Sequence, residues 1–190
     1  MDLLIYDDKT FEGIVYTGKV IKGREFQSCT FKNCDFSSSD FSNNKLIECV
    51  FDGCNLSMMK LGGTMLNDVV FKNCKVLGVI FGETQSFLFS VKFDGCILDY
   101  ASFIEKKMPK TKFIKSSLKE ATFSGAILTG SLFDDTNLMG TVFNRTDLTE
   151  VNFANAHNYS IDPELNTIKK AIFSSQGLAG LLSKYQIKIV

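Results

Sequence analysis

Residues 111–155 read TKFIK SSLKE ATFSG AILTG SLFDD TNLMG TVFNR TDLTE VNFAN, nine consecutive blocks of five with Phe or Leu third in each. The same beat runs from Glu25 to Asn155. It passes through Phe26, Phe31, Phe36, Phe41, Leu46, Phe51, Leu56, Leu61, Leu66, Phe71, Val76 and Phe81, then resumes after a break at Phe93, Leu98, Phe103 and Met108. Of these twenty-five positions only Val76 and Met108 are neither Phe nor Leu. A period of five matches neither the 3.6 of a helix nor the 2 of a strand. Self-similarity at a fixed period is the sequence mark of a solenoid.

A second column lies two residues before each large one. It holds Cys29, Cys34, Ser39, Cys49, Cys54, Thr64 and Cys74, later Cys96, Ala101, Thr111, Ser116, Ala121 and Ala126, and it contains all six cysteines of the protein. A coil of square section accounts for both columns. Each five-residue side points one large and one small side chain inward, four sides close a turn, and turns stack at the β spacing of about 4.8 Å. Residues twenty apart then share a column. Phe93, Phe113, Phe133 and Phe153 form one and Phe103, Phe123 and Phe143 the opposite one, with Leu or Met on the two remaining sides. Rings on two sides and aliphatic chains on the others fill a narrow core.

The pattern A/C/S/T-x-F/L-x-x resembles the pentapeptide repeat family. That resemblance implies an all-β solenoid, a right-handed quadrilateral parallel β-helix of six to seven coils. Residues 1–24 read as a capping coil, 25–173 as the repeat, and 174–190 as a C-terminal module. In the first segment Tyr6, Phe11, Tyr16 and Ile21 keep the beat, but Lys9 and Lys19 stand where small residues belong.

Bulk properties narrow the function classes. There are 21 basic and 21 acidic residues, so no global field draws the chain to nucleic acid. The opening MDLLIYDDK has no basic stretch before an apolar run, and nothing reaches the length of a membrane span. A cytoplasmic location is expected, with no direct membrane or nucleic-acid contact. Stacked cysteines would point the same way rather than at each other, so they read as small buried thiols in a reducing compartment. There is no CxxC, His157 is the only histidine, and no nucleophile elbow, P-loop, HExxH or dinucleotide glycine pattern occurs. Gly62-Gly63-Thr64 falls in phase as coil corners. No enzyme, cofactor or metal is expected.

Two irregularities interrupt the beat. Large positions leave a remainder of one on division by five through Phe81 and of three from Leu88, so two residues have entered near 82–87. Further on, Lys106 occupies a small-column position. An unpaired buried ammonium is costly, so this side is expected to be pushed outward. Charge is also uneven. Residues 104–120 carry six Lys and two acids, whereas 121–165 carry six acids and Arg145. Asp134, Asp135, Asp147 and Glu150, with Gly82, Glu83, Thr84 and Gln85 of the phase break, are the candidate partner contacts.

At the end, Leu178, Leu181, Leu182 and Tyr185 follow helical spacing after Ser174 or Ser175, and Ile187 and Ile189 alternate like a short strand. An apolar stripe on a short helix caps the last coil or pairs with a second copy. Tyr159 to Pro163, Ile168, Ile172 and this ending are similar to the C-terminus of quinolone-resistance (Qnr-type and MfpA-like) pentapeptide repeat proteins. The resemblance implies a homodimer joined through Leu178, Leu181, Leu182, Tyr185, Ile187 and Ile189. It also implies binding to DNA gyrase or topoisomerase IV by DNA mimicry, with protection from quinolones. The alternative is a scaffold for an unrelated protein. A continuous acidic stripe would favour mimicry and a patchy one would not.

Overall fold

Five-residue sides demand a sharp corner after every block, and the backbone makes it two residues past most large positions. There the chain turns left-handed, at Asn73 (φ 52°), Lys110 (φ 57°) and Gly130 (φ 68°), for example. The computed structural model describes residues 4–188, and these corners wind them into an all-parallel β-solenoid of about eight turns. Nine strands, from Thr10–Glu12 through Val50–Asp52 and Lys112–Ile114 to Ile172–Phe173, run up one side as a single parallel sheet. Six to seven coils are expected of the repeat alone, and the capping segment adds a paired coil to them. Leu4–Asp7 pairs with Arg24–Gln27, and Thr10–Glu12 with Thr30–Lys32. This coil is paired but loosely packed, for Lys9 and Lys19 stay exposed and the buried core begins at Ile21.

Register stacks like on like. Phe113 pairs with Phe93 on one side and Phe133 on the other, with ring centroids 5.3 and 4.7 Å apart and nearly parallel planes. The facing column stacks Phe103 on Phe123 at 4.8 Å, and the two columns meet edge-on, as Phe113 and Phe123 do at 84°. Offset stacks joined by edge contacts are the favourable arrangement of aromatic quadrupoles. The small column has a role beyond its size. Cys49, Cys54 and Cys74 donate Sγ–H to the carbonyls of Phe26, Phe31 and Phe51, each twenty-three residues earlier. Thr136 and Thr146 hydroxyls make the same bond to Phe113 and Phe123. All six cysteines are free and buried, and burial pushes the Cys49 thiol up to about 12, where it is inert.

The two extra residues are present, at the end of the 82–87 stretch. Phe71 pairs with Phe93, twenty-two residues on. Phe81–Glu83 forms a 3-10 turn, and Thr84 keeps the small inward position with its hydroxyl on the Phe81 carbonyl at 2.7 Å. Phe89, rather than Leu88, then fills the large position, and Ser86, Phe87 and Leu88 stand out between them. This side of the coil is therefore no strand, and the four-stranded sheet that starts with Leu4–Asp7 ends at Met65–Asn67.

Lys106 corrects a second expectation, because it turns inward and is only 1% exposed. Its Nζ donates to the carbonyls of Thr84 at 2.7 Å and Gln85 at 3.3 Å, and it lies 4.7 Å from the centre of the Phe89 ring. The bulge supplies the partners that a regular coil would lack, so the ammonium is buried but satisfied. Loss of water pulls its pKa down to about 8 from the ordinary lysine value, while the carbonyls and ring face favour the proton.

The C-terminal stripe does not form an α-helix. Gln176–Leu181 and Ser183–Tyr185 are 3-10 turns, and Ile187 lies outside any strand. Gly177 and Gly180 press against Tyr159, and a Cβ on Gly180 would collide with the Tyr159 carbonyl. The segment is shaped by this close approach rather than by helix propensity. Ile161 N–H donates to Gly180 O at 3.0 Å, and Lys184 pairs with Asp162 and Glu164 at 2.9 and 2.7 Å.

Phe123 is wholly buried between the rings of Phe103 and Phe143, so Phe123→Ala is expected to cost about 3–5 kcal/mol in chemical denaturation. A loss below about 1 kcal/mol would contradict the packing described. Lys106 gives a pH signature. Its folded pKa lies below the unfolded one, so the unfolded chain holds the proton more tightly and stability rises as pH climbs from about 8 towards the ordinary lysine value. Denaturation midpoints of the wild type should rise across that window relative to Lys106→Met, by up to about 3 kcal/mol in stability. A parallel pH course for the two proteins would show that Lys106 is not buried as described.

Candidate interaction surface

Repetition fixes the interior of the solenoid and leaves the exterior free to vary. The candidate acids divide between two sides. Asp134 ends the strand Leu132–Asp134, where its Oδ1 accepts from Asn155 Nδ2 at 2.7 Å, and Asp135 is exposed at the following corner. Asp147 lies in the ladder Ile127–Asp147–Thr167 of another side. Its carboxylate accepts from Thr149 N–H at 2.9 Å and from the Thr129 hydroxyl at 3.1 Å, bonds that hold it below the usual carboxylate range. Glu150 is exposed and reaches Lys170 at 3.5 Å.

These acids do not continue into a stripe. In register with Asp134, the column down the nine-stranded side reads Ile114, Asp94, Lys72, Asp52, Lys32 and Glu12. Over most of its length the sign alternates from coil to coil. Opposite charges side by side stabilise a sheet, so the pattern is accounted for within the fold. It is a patchy surface rather than a continuous acidic one.

The four residues named at the phase break behave differently from one another. Gly82 is half-buried and lies against Ile104 O, Glu83 is exposed in the 3-10 turn, and Thr84 is buried. Gln85 is exposed, with its side-chain amide donating to Gly63 O at 2.9 Å. What projects is Phe87, 70% exposed, at the end of the 82–87 stretch, and Leu88, 54% exposed, which the phase count places inward. The available signal was that two large apolar residues cannot both occupy the single inward place that Phe89 takes. At the C-terminal end Leu178, Leu182, Tyr185 and Ile187 are exposed, while Leu181 packs against the core. Ile189 lies outside the described residues. Among the described residues no group of three or more His, Cys, Asp or Glu could hold a metal ion, and no helix is long and apolar enough to cross a membrane.

Comparison with known proteins agrees with this architecture. A family model described as a pentapeptide repeat region matches residues 24–103, and one for pentapeptide repeats in eight copies matches residues 116–155. No curated protein matches the chain by sequence. Among solved structures, a trypsin-treated variant of QnrB1, a plasmid-mediated fluoroquinolone resistance protein, is similar with a TM-score of 0.68 and 17% identity over 95% of this chain and 100% of that one. A second trypsin-treated variant of QnrB1 gives 0.64 and 16% over 100% of both chains. Full-length QnrB1 gives 0.51 and 19% over 94% of this chain and 100% of that one. Identity this low shows a shared fold and no more. With the five-residue beat, the stacked interior and both family models in agreement, the chain belongs to the pentapeptide repeat proteins.

Proposed function

We propose that this protein works without catalysis, as a rigid cytoplasmic rod that binds a protein partner, and that the partner is a type II DNA topoisomerase, DNA gyrase or topoisomerase IV. The observation that carries this reading is the likeness of fold to a QnrB1 variant over 100% of both chains. On this reading the rod protects the topoisomerase from quinolones by occupying it. The exposed Leu178, Leu182, Tyr185 and Ile187 pair with the same residues of a second copy and double the length of the rod.

One observation favours the second reading, a scaffold for an unrelated protein. The alternating column from Glu12 to Asp134 differs from the uniformly negative face of duplex DNA, so binding by charge mimicry along that side is not supported.

Two experiments test the proposal. In a supercoiling assay with purified gyrase, titration of this protein is expected to inhibit the enzyme or to restore its activity in ciprofloxacin. No change at large molar excess over gyrase would refute the topoisomerase reading for that enzyme. Light scattering after size exclusion is expected to show a dimer that becomes a monomer in Leu182→Glu, Ile187→Glu. A monomeric wild type at micromolar concentration would remove the pairing.

A further inference from the structure

The bulge and the lysines of the next coil fall on neighbouring sides of the rod. Phe87 and Leu88 project although Phe89 already fills the core position behind them, so packing gives no account of two bulky apolar residues in water. Around the next corner Val91–Asp94 pairs in register with Lys112–Ile114, which sets Lys92 directly beside Lys112. Like charges at adjacent ladder positions destabilise a sheet. Lys110 and Lys115 stand at the left-handed corners on either side of that second strand, and both are exposed. Of these four lysines, among the described residues, only Lys92 makes an ion pair, with Asp68 at 3.1 Å. The bulge is also tied at both ends. Lys106 ties the base of the bulge through the Thr84 and Gln85 carbonyls, and Phe89 anchors its far end.

We propose that Phe87 and Leu88, with Lys92, Lys110, Lys112 and Lys115, dock a short acidic segment of a partner protein in which carboxylates flank at least one bulky apolar side chain. Charge complementarity selects this occupant. Binding would neutralise the Lys92–Lys112 repulsion, and the apolar side chain would cover the ring of Phe87. A nucleic acid fits less well, because the cationic band is narrow along the rod axis. Asp94 lies beside it on the same face, and Asp134 and Asp135 follow one coil on, so phosphates running along the rod would meet carboxylates within about 10 Å. The proposal does not rest on the topoisomerase reading, and a negative supercoiling assay leaves it standing.

The test is fluorescence anisotropy of the full chain with a labelled amphipathic peptide of Glu and Leu. The same peptide with Gln for Glu, the same with Ser for Leu, and a short DNA duplex serve as competitors. The Glu–Leu peptide is expected to bind, to weaken as salt is raised, and to lose at least about tenfold in affinity in Lys110→Glu, Lys112→Glu and in Phe87→Ser, Leu88→Ser. All four substitutions are at exposed positions, and unchanged denaturation midpoints would establish that the variants are folded. Absence of binding at millimolar peptide overturns the proposal. So does equal affinity in both folded variants, equal binding of the Ser-substituted peptide, or displacement by duplex DNA in preference to the Glu–Leu peptide.

Discussion

Each coil takes its main-chain hydrogen bonds from the coils before and after it. Thr30 N–H donates to Lys9 O at 2.8 Å, Val50 N–H to Cys29 O and Val70 N–H to Cys49 O at 2.9 Å. Because the strands are parallel and the offset is twenty residues at every step but the one across the insertion, a residue type chosen for one coil is repeated directly above itself. Phe on Phe gives an offset stack, and a thiol or hydroxyl in the small column reaches the carbonyl of the coil below. No side of a coil has a core of its own. Stability resides in the contacts between neighbours, as expected of a quasi-one-dimensional protein.

That dependence makes an insertion hazardous, since a register slip carried forward would turn the whole interior outward. The chain avoids it by confining the error to one side. The nine-stranded ladder crosses the insertion with a single offset of twenty-two residues and then returns to twenty. On the interrupted side the broken ladder leaves carbonyls that the next coil must satisfy, and the long side chain of Lys106 does so. The bulge and the misplaced lysine are two halves of one arrangement. Neither would be tolerable without the other, for an orphaned buried carbonyl costs about 1–3 kcal/mol and an unpaired buried ammonium more.

What could be read from the sequence follows from the same physics. The fold, both inward columns and the existence of the phase change were legible because they repeat, and repetition converts a weak local preference into a pattern. Lys106 was misread because its partners come from carbonyls twenty-one and twenty-two residues earlier, in a segment whose path depends on which aromatic turns inward. The C-terminal segment is helical but 3-10 rather than the α form that the spacing of Leu178, Leu181, Leu182 and Tyr185 suggests. The deciding contact was instead Gly177 and Gly180 against Tyr159, which no periodicity reports. The first coil is legible through the beat of Tyr6, Phe11, Tyr16 and Ile21, and its strands pair although Lys9 and Lys19 stand where small inward residues belong.

The exterior obeys a different rule, and this bears on where function is to be sought. A surface residue that improves the ladder explains itself. The column Glu12, Lys32, Asp52, Lys72, Asp94 alternates in sign and gains from doing so, and Asp134 and Asp147 are held by bonds from Asn155, Thr129 and Thr149. Such acids are poor evidence of a partner. A residue that works against the ladder is better evidence, because the ladder itself does not account for it. Lys92 beside Lys112, and Phe87 and Leu88 in water, are of that kind. They meet where the solenoid has already given up regular pairing on one side, so a bound segment there need not compete with the ladder.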